Sequence, residues 1–494
     1  MACCIGALLL AAPLNWAGVP PLPHLFLELG AVAVLALIFW SVPVWPEGGR
    51  PSNGFLLALA LLLAYPLLYL LPLPPALWMH APGSGREPYA QALALLSGES
   101  PGWRALSVSP TLTEAYWLAF LPPLAVFLGV LGLPERHRLA LAHLAVGVAV
   151  LQSLLGLMQY GAARDSWLCF GAPICGSSAH GTYYNYDHLA GFLEMLLPVA
   201  VGLIGANMGR GGAARRYRQS WGERFAFWAS WRGHATAVLA AGSVAMLLGL
   251  VFTRSRSGIT IIMLGILVCL AVFGRRLGMA NKSSGVIGTI AVVALGLALD
   301  IGLAPVQQRF SFEDALHDAR GAIYANALEA IGQFLPLGSG PGTFPEAFRQ
   351  FQPMAFGRYF INHAHNDYLE WLFEGGLAGA ALGVLLLAVY LRQWFTLAAA
   401  ASAHSFRFVQ FGAGVGLLLL LLHSLTDFNW HIPANALYAA LLAGLFLGRP
   451  GHGAPPVDGR REHGPSDAEQ PRPLFVLAKP TLPVHNPFDD RNPE

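Results

Sequence analysis

Uncharged apolar runs of about 18 or more residues recur along nearly the whole chain, and no other feature limits its fold as tightly. A run of that length crosses the hydrocarbon core of a bilayer as a helix. Inside that core the segment must satisfy its own backbone N–H and C=O groups, as a helix does. Repeated runs therefore imply an all-α polytopic membrane protein. Charged residues make up only 11% of the 494 positions, against about 25% in soluble domains. A soluble globular protein of this length is excluded.

The runs place membrane helices at roughly 5–19, 25–42, 54–73, 113–133, 139–160, 187–206, 235–252, 257–274, 285–303, 367–391, 408–426 and 433–449, about twelve in all. Pro13 lies in the first and shortest of these, which leaves eleven as the alternative. The N-terminus has no basic region and no clear small-residue cleavage site, so its apolar stretch reads as a membrane helix and not as a signal peptide. Cys3-Cys4 follows no apolar region, which argues against a lipoprotein.

Lys and Arg bias sets orientation. The loop 207–234 carries Arg210, Arg215, Arg216, Arg218, Arg224 and Arg232 against one acid, Glu223, and is expected inside. Alternation then puts both termini in the cytoplasm. Loop 74–112, loop 161–186, the turn at Arg254-Ser255-Arg256, the segment 304–366 and the turn Asp427 to His431 fall on the opposite face, the periplasm of a bacterial cell. The chain divides into N-terminal helices (1–180), a second membrane region with the long outer loop 304–366 (181–449), and a tail (450–494) rich in proline and mixed charge, expected to be disordered.

Polar chemistry concentrates on the outer face. Arg254 and Arg256 oppose the charge rule there. Arginine suits phosphate oxygens in bidentate fashion, and Ser257-Gly258 opens a helix whose N-terminus favours anions. Two snorkelling arginines are the bland alternative. Arg320 stands in the long outer loop, with a salt bridge to Asp318, Asp314 or Glu313 as its competitor. The glycines of Pro336 to Gly342 lack the spacing of a nucleotide loop.

The stretch Ile361 to Trp371 holds His363, His365, Asn366, Asp367 and Glu370 at the mouth of an apolar run. Asp367 and Glu370 have the spacing of a capping box, so Asp367 is expected to cap a helix. A neutral histidine beside that helix can act as a base. Loop-bonding interfacial histidines are the alternative. His363 and His365 are two apart, not four, and no nearby His/Glu triplet completes a metal site. Asn185 and His188 lead into a membrane helix carrying Glu194, and Asp427 lies between the last two helices. Acids in or near a bilayer usually have partners or roles. Cys169 and Cys175 share an outer loop, where a disulfide is feasible and two free thiols are the alternative. Cys269 reads as packing, and without a CxxC pair structural zinc is unsupported.

Three of these features together resemble the O-antigen ligase and polymerase family of membrane glycosyltransferases. They are Ser255-Arg256-Ser257-Gly258 opening a helix, Arg320 ahead of the Pro336 to Gly342 turn, and His365-Asn366 followed after nine residues by Gly376 and then by Gly379. The resemblance covers about 180–450 and is densest at 250–380. It implies a GT-C fold and a donor glycan on undecaprenyl diphosphate. It implies a hydroxyl acceptor such as lipid A core, no cofactor or metal, and no nucleic acid. The family histidine maps onto His365 and the family arginines onto Arg256 and Arg320, with Arg254 outside the matched position. The activity implied is inverting transfer, with His365 as general base and the arginines on the departing diphosphate. A glycan polymerase and a protein O-oligosaccharyltransferase fit the same residues. A polysaccharide or lipid transporter is the reading from another class.

Overall fold

The computed structural model describes residues 1–41, 53–74, 77, 91, 95, 102–163, 166–170, 176–209, 226–276, 315–399 and 404–450. The expected span 285–303, the tail after residue 450, Arg210 to Arg224, Lys282, Glu313, Asp314, Cys175 and most of loop 74–112 lie outside the described residues.

Within them the apolar runs are helical. They form α1 (Ala2–Ala11), α2 (Leu14–Ala17), α3 (Pro21–Ser41), α4 (Asn53–Leu68), α5 (Pro110–Ala119), α6 (Leu121–Gly132), α7 (Glu135–Tyr160), α8 (Tyr186–Gly209), α9 (Trp231–Thr253) and α10 (Arg256–Arg276). Beyond these lie α11 (Ala315–Phe334), α12 (Phe344–Ala347), α13 (Asp367–Ala399), α14 (Phe406–His423) and α15 (Pro433–Leu447). Among the described residues seven helical stretches are long and apolar enough to cross a membrane. Four shorter apolar helices occupy other expected positions. The chain is thus a mostly helical, multi-pass membrane protein.

Two expectations need correction. The run 5–19 is not one helix: α1 stops before Pro13, and Asn15 and Trp16 have positive φ, so only ten residues are continuous. Proline supplies no backbone N–H to continue the ladder. The run 367–391 is not one continuous helix either, because Gly376 breaks it; outside the helices, Pro72–Leu73 (β1) and Arg104–Ala105 (β2) pair as a short antiparallel ribbon.

The bundle is built around α8. Every residue of its apolar window is buried, and it packs against α7, α9, α10 and most extensively α14. Gly412 and Gly416 of α14 bring that helix against the carbonyls of Pro198 and Met195. Close approach over small residues is how helices associate where no water drives them together.

A second apolar cluster lies outside this bundle core. Ile323, Ala327, Ile331 and Phe334 of α11 pack with Phe344, Phe348 and Phe373. It joins the outer loop to the start of α13.

That helix is broken at Gly376 (φ 56°, ψ −150°). The Pro336 to Gly342 turn enters the break. Leu377 donates its N–H to Pro336 O at 2.8 Å, Ser339 to Phe373 O at 3.0 Å and Gly340 to Glu374 O at 2.9 Å. Glu374 accepts the N–H groups of Gly342 and Phe344, both at 2.8 Å. From α4, the Tyr65 hydroxyl donates to Gly375 O at 2.7 Å and the Tyr69 hydroxyl to Leu337 O. The spacing Gly376, two residues, Gly379 therefore has a local cause. Gly376 supplies the positive φ, and a Cβ on Gly379 would meet the Trp371 ring at 2.7 Å.

Candidate functional site

The helix cap comes first, because it sets where the histidines stand. Asn366, and not Asp367, caps α13: its Oδ1 accepts from Tyr368 N at 3.0 Å and Leu369 N at 3.1 Å. The expected capping box is corrected. Asn and Asp are equivalent caps by chemistry, so residue type did not decide between neighbours. Asp367 is one residue inside the helix, and its carboxylate turns to His431 Nδ1 at 3.1 Å. Its own N–H donates to Ser424 O at 2.9 Å, which ties α13 to the end of α14.

His365 has a left-handed backbone (φ 53°), an uncommon state for a non-glycine residue. Such strain marks positions held by their surroundings. Tyr324 of α11 holds this one, donating its hydroxyl to His365 O at 2.7 Å. The imidazole lies edge-on to Phe428, with ring centres 4.9 Å apart. Its Nδ1 faces Asp427 Oδ1 at 3.4 Å, and the other Asp427 oxygen faces His188 Nε2 at 3.5 Å. Asp427 thus stands between the two histidines.

Asp427 is 1% exposed, and neither oxygen has a hydrogen bond of good geometry among the described residues. Burial alone pushes its carboxyl up. His188, His365 and His423 together outweigh burial and hold it well below the usual carboxylate range. It is an anion at neutral pH.

Glu194 is fully buried and accepts from His423 Nδ1 at 2.8 Å. It lies seven residues into α8 from Asp187, about 10 Å at a helical rise of about 1.5 Å per residue. The pair is close enough for its charges to act on Asp427 and Asp187. Asn185 Oδ1 accepts from Asp187 N at 2.9 Å, which shapes the start of α8.

Arg320, on α11, lies close enough for its charge to act on Asp187 and on the Tyr324 hydroxyl. Its Nε is buried without a hydrogen bond among the described residues. Ser255 lies within hydrogen-bonding reach of Asp187, and Arg256 begins α10 next to it. Arg254, with a left-handed φ of 61°, donates instead to Ser177 O at 3.1 Å and ties down the loop before α8.

His363 is not placed like His365. Its Nδ1 donates to Glu370 Oε1 at 2.8 Å, and its ring stacks on Phe428 at 4.2 Å. His431 Nε2 reaches the same Glu370 oxygen at 3.3 Å. The triplet that the sequence did not offer is present: His363, Glu370 and His431 bring one ligand atom each to within 4.8 Å of one another. Burial pushes the His363 imidazole down, against Glu370. For His431 burial also pulls down, but Glu370 and Asp367 raise it to about 10.

Sequence reasoning missed Tyr324 altogether, and it named Glu370 and the turn ending at His431 without bringing the two together. Only Glu370 carried a local signal, its spacing from Asp367. Cys169 is disulfide-bonded, and Cys175, the partner expected for it, lies outside the described residues.

No curated protein matches the chain. Residues 241–384 match the family model described as O-antigen ligase, a range that holds Arg256, Arg320, His363, His365 and both glycines of the break. Residues 241–384 thus form an O-antigen ligase domain, of the family that the chain's His365 to Gly379 spacing resembles.

Proposed function

We propose that this protein transfers a glycan from an undecaprenyl-diphosphate carrier to a hydroxyl acceptor at the periplasmic face of a bacterial inner membrane. Lipid A core is the acceptor favoured, as in O-antigen ligation. The proposed frame is a GT-C fold of about twelve spans with both termini in the cytoplasm. The observation that carries the reading is the buried Asp427 carboxyl between His365 and His188, with Arg320 alongside.

An acceptor hydroxyl attacks the anomeric carbon of the donor sugar, and the bond to the diphosphate oxygen breaks. His365 takes the proton of that hydroxyl on Nε2, since its Nδ1 is turned to Asp427. The Asp427 anion orients the ring and stabilises the imidazolium that forms. Arg320 and Arg256 balance the charge developing on the departing diphosphate. Displacement in one step inverts the anomeric centre. Arg254 acts through the loop it holds at Ser177. Asn366 sets the start of α13 and thereby the turn that presents His365. Asn185, His188, Glu194 and Asp367 support the site through the contacts described.

A transporter is disfavoured because the buried Glu194–His423 pair is continuous with this outer cluster. The test is transfer in vitro, with purified protein, a lipid-diphosphate glycan and candidate acceptors. His365→Ala, Arg256→Ala and Arg320→Ala are each expected to abolish transfer while inserting normally in the membrane. Full activity in any one removes that residue from the mechanism. Product on a growing glycan or on protein, with none on lipid A core, replaces the ligase by a polymerase or a protein O-oligosaccharyltransferase.

A further inference from the structure

Beside the His365 cluster, His363, Glu370 and His431 form a group to which the transfer chemistry assigns no step. We infer that these three residues bind a divalent first-row transition ion, of which Zn²⁺ is the simplest case. The inference rests on ligand geometry and holds whether or not the transfer reading does.

The donors come first. Two imidazole nitrogens and one carboxylate oxygen are the set used by three-ligand zinc sites with an open fourth position. Calcium and magnesium, which take six or more oxygens, do not suit it. Ligand atoms about 2.0–2.1 Å from a tetrahedral centre are about 3.3 Å apart. The Glu370 oxygen lies 3.3 Å from His431 Nε2 and 2.8 Å from His363 Nδ1. An ion among them asks the shorter pair to open by roughly 0.5 Å and brings the two imidazole nitrogens, which lie within 4.8 Å of each other, to about the same 3.3 Å.

The surroundings fit as well. A metal-binding histidine commonly gives its other N–H to a carboxylate, which fixes the tautomer and raises its basicity. His431 Nδ1 has that partner in Asp367, at 3.1 Å. The second Glu370 oxygen is held by Ala364 N at 2.8 Å. The His363 ring is fixed by stacking on Phe428. Glu370 is 1% exposed, while both histidines keep 19%, which leaves a path from solvent for the ion.

The three residues come from different parts of the chain: the turn before α13, its first turn, and the turn between α14 and α15. An ion here pins the segment carrying His363 and His365 to the segment carrying Asp427 and His431. Its role is structural, and no bond to substrate is made through it.

The competing state is a hydrogen-bonded network in which His431 is an imidazolium between Asp367 and Glu370 and no ion enters. The two are separated by measuring metal directly. Full-length protein, purified without an oligohistidine tag, is stripped with EDTA, given Zn²⁺, desalted and analysed for metal. Retention of roughly one ion per chain is expected. His431→Ala and Glu370→Gln are expected to reduce it at least tenfold, and His24→Ala, which alters the separate His24–Glu28 pair, to leave it unchanged. Retention in fewer than one chain in ten, or equal retention in His431→Ala, overturns the inference.

Two further measurements cover variants that fail to fold. Co²⁺ added to stripped wild type is expected to give the intense visible bands of a four-coordinate ion. His363→Cys is expected to add a thiolate charge-transfer band that places the ion at residue 363. Only the weak spectrum of solvated Co²⁺ in both overturns the site.

Discussion

The break in α13 gives the sharpest quantitative test. Gly376→Ala puts a methyl group where the Pro336 to Gly342 turn already stands. A Cβ there lies 2.5 Å from the Leu337 carbonyl carbon and 2.6 Å from Gly338 N, and closer still to Pro336 O. All three are backbone atoms, so no side chain can swing away. The φ of 56° with ψ −150° adds roughly 1–3 kcal/mol of strain for a residue with a Cβ. Moving the turn aside stretches the bonds from Leu377, Ser339 and Gly340, worth about 1 kcal/mol each. The sum is about 4–6 kcal/mol, local to the break. Hydrogen exchange by mass spectrometry reads it. Amides in 336–342 and 375–378 that open locally should exchange at least a hundredfold faster, since about 1.4 kcal/mol is a factor of ten. The transmembrane part of α8 should not change. Exchange within threefold of wild type at 336–342 would refute the claim that the glycine is required by close approach.

Other outcomes follow from the same contacts. Glu374→Ala leaves the buried N–H groups of Gly342 and Phe344 without their acceptor, at about 1–3 kcal/mol each, so the thermal midpoint should fall sharply. Glu374→Gln, which keeps one acceptor oxygen, should fall between. Tyr324→Phe removes the hydroxyl that holds His365 O and should slow transfer about fivefold, the rate equivalent of about 1 kcal/mol, without affecting membrane insertion. Asp427→Asn should lower transfer at least about a hundredfold by loosening the base. It also has a pH signature. The carboxyl is depressed in the folded state, so the stability it contributes is present above the unfolded pKa and lost as pH falls through the folded value. The groups facing it are His188, His365 and His423, with Asp187 and Glu194 behind. The gap in thermal midpoint between wild type and Asp427→Asn should be widest at neutral pH and close only well below pH about 4. A gap independent of pH down to 3 contradicts a depressed Asp427.

How much of this was legible in the sequence depended on distance along the chain. The membrane class was legible, because a run of 18 apolar residues has few other uses. The spacing from His365 to Gly379 was legible only as a family resemblance; 367–391 read as one continuous helix, and the break at Gly376 rests on a turn thirty-odd residues upstream. Asn366 and Asp367 are adjacent and chemically alike as caps, so only the backbone resolved which one serves. Asp427 was singled out as an acid near the bilayer, but its position between His188 and His365 depends on α8, α13 and α14 meeting at one end. His431 is about sixty residues from Glu370 in sequence, and periodicity carries no information over that separation. Arg254 and Arg256 looked alike in their turn. A left-handed φ at Arg254 sends its side chain to Ser177 and separates the pair.

The interruption of α13 also decouples two rotational phases. In an unbroken helix, inserting one residue turns everything beyond it by about 100° relative to what precedes it. Here the histidines, Asp367, Glu370 and Glu374 lie before Gly376, anchored to Ser424, Ala364 and the Pro336 turn by bonds that do not pass through the membrane half. The stretch from Leu377 to Ala399 takes its own register from other contacts: Tyr390 donates its hydroxyl to Gly414 O at 2.9 Å and Gln393 its amide to Phe446 O at 2.7 Å. A residue gained or lost on one side of Gly376 therefore need not rotate the groups on the other.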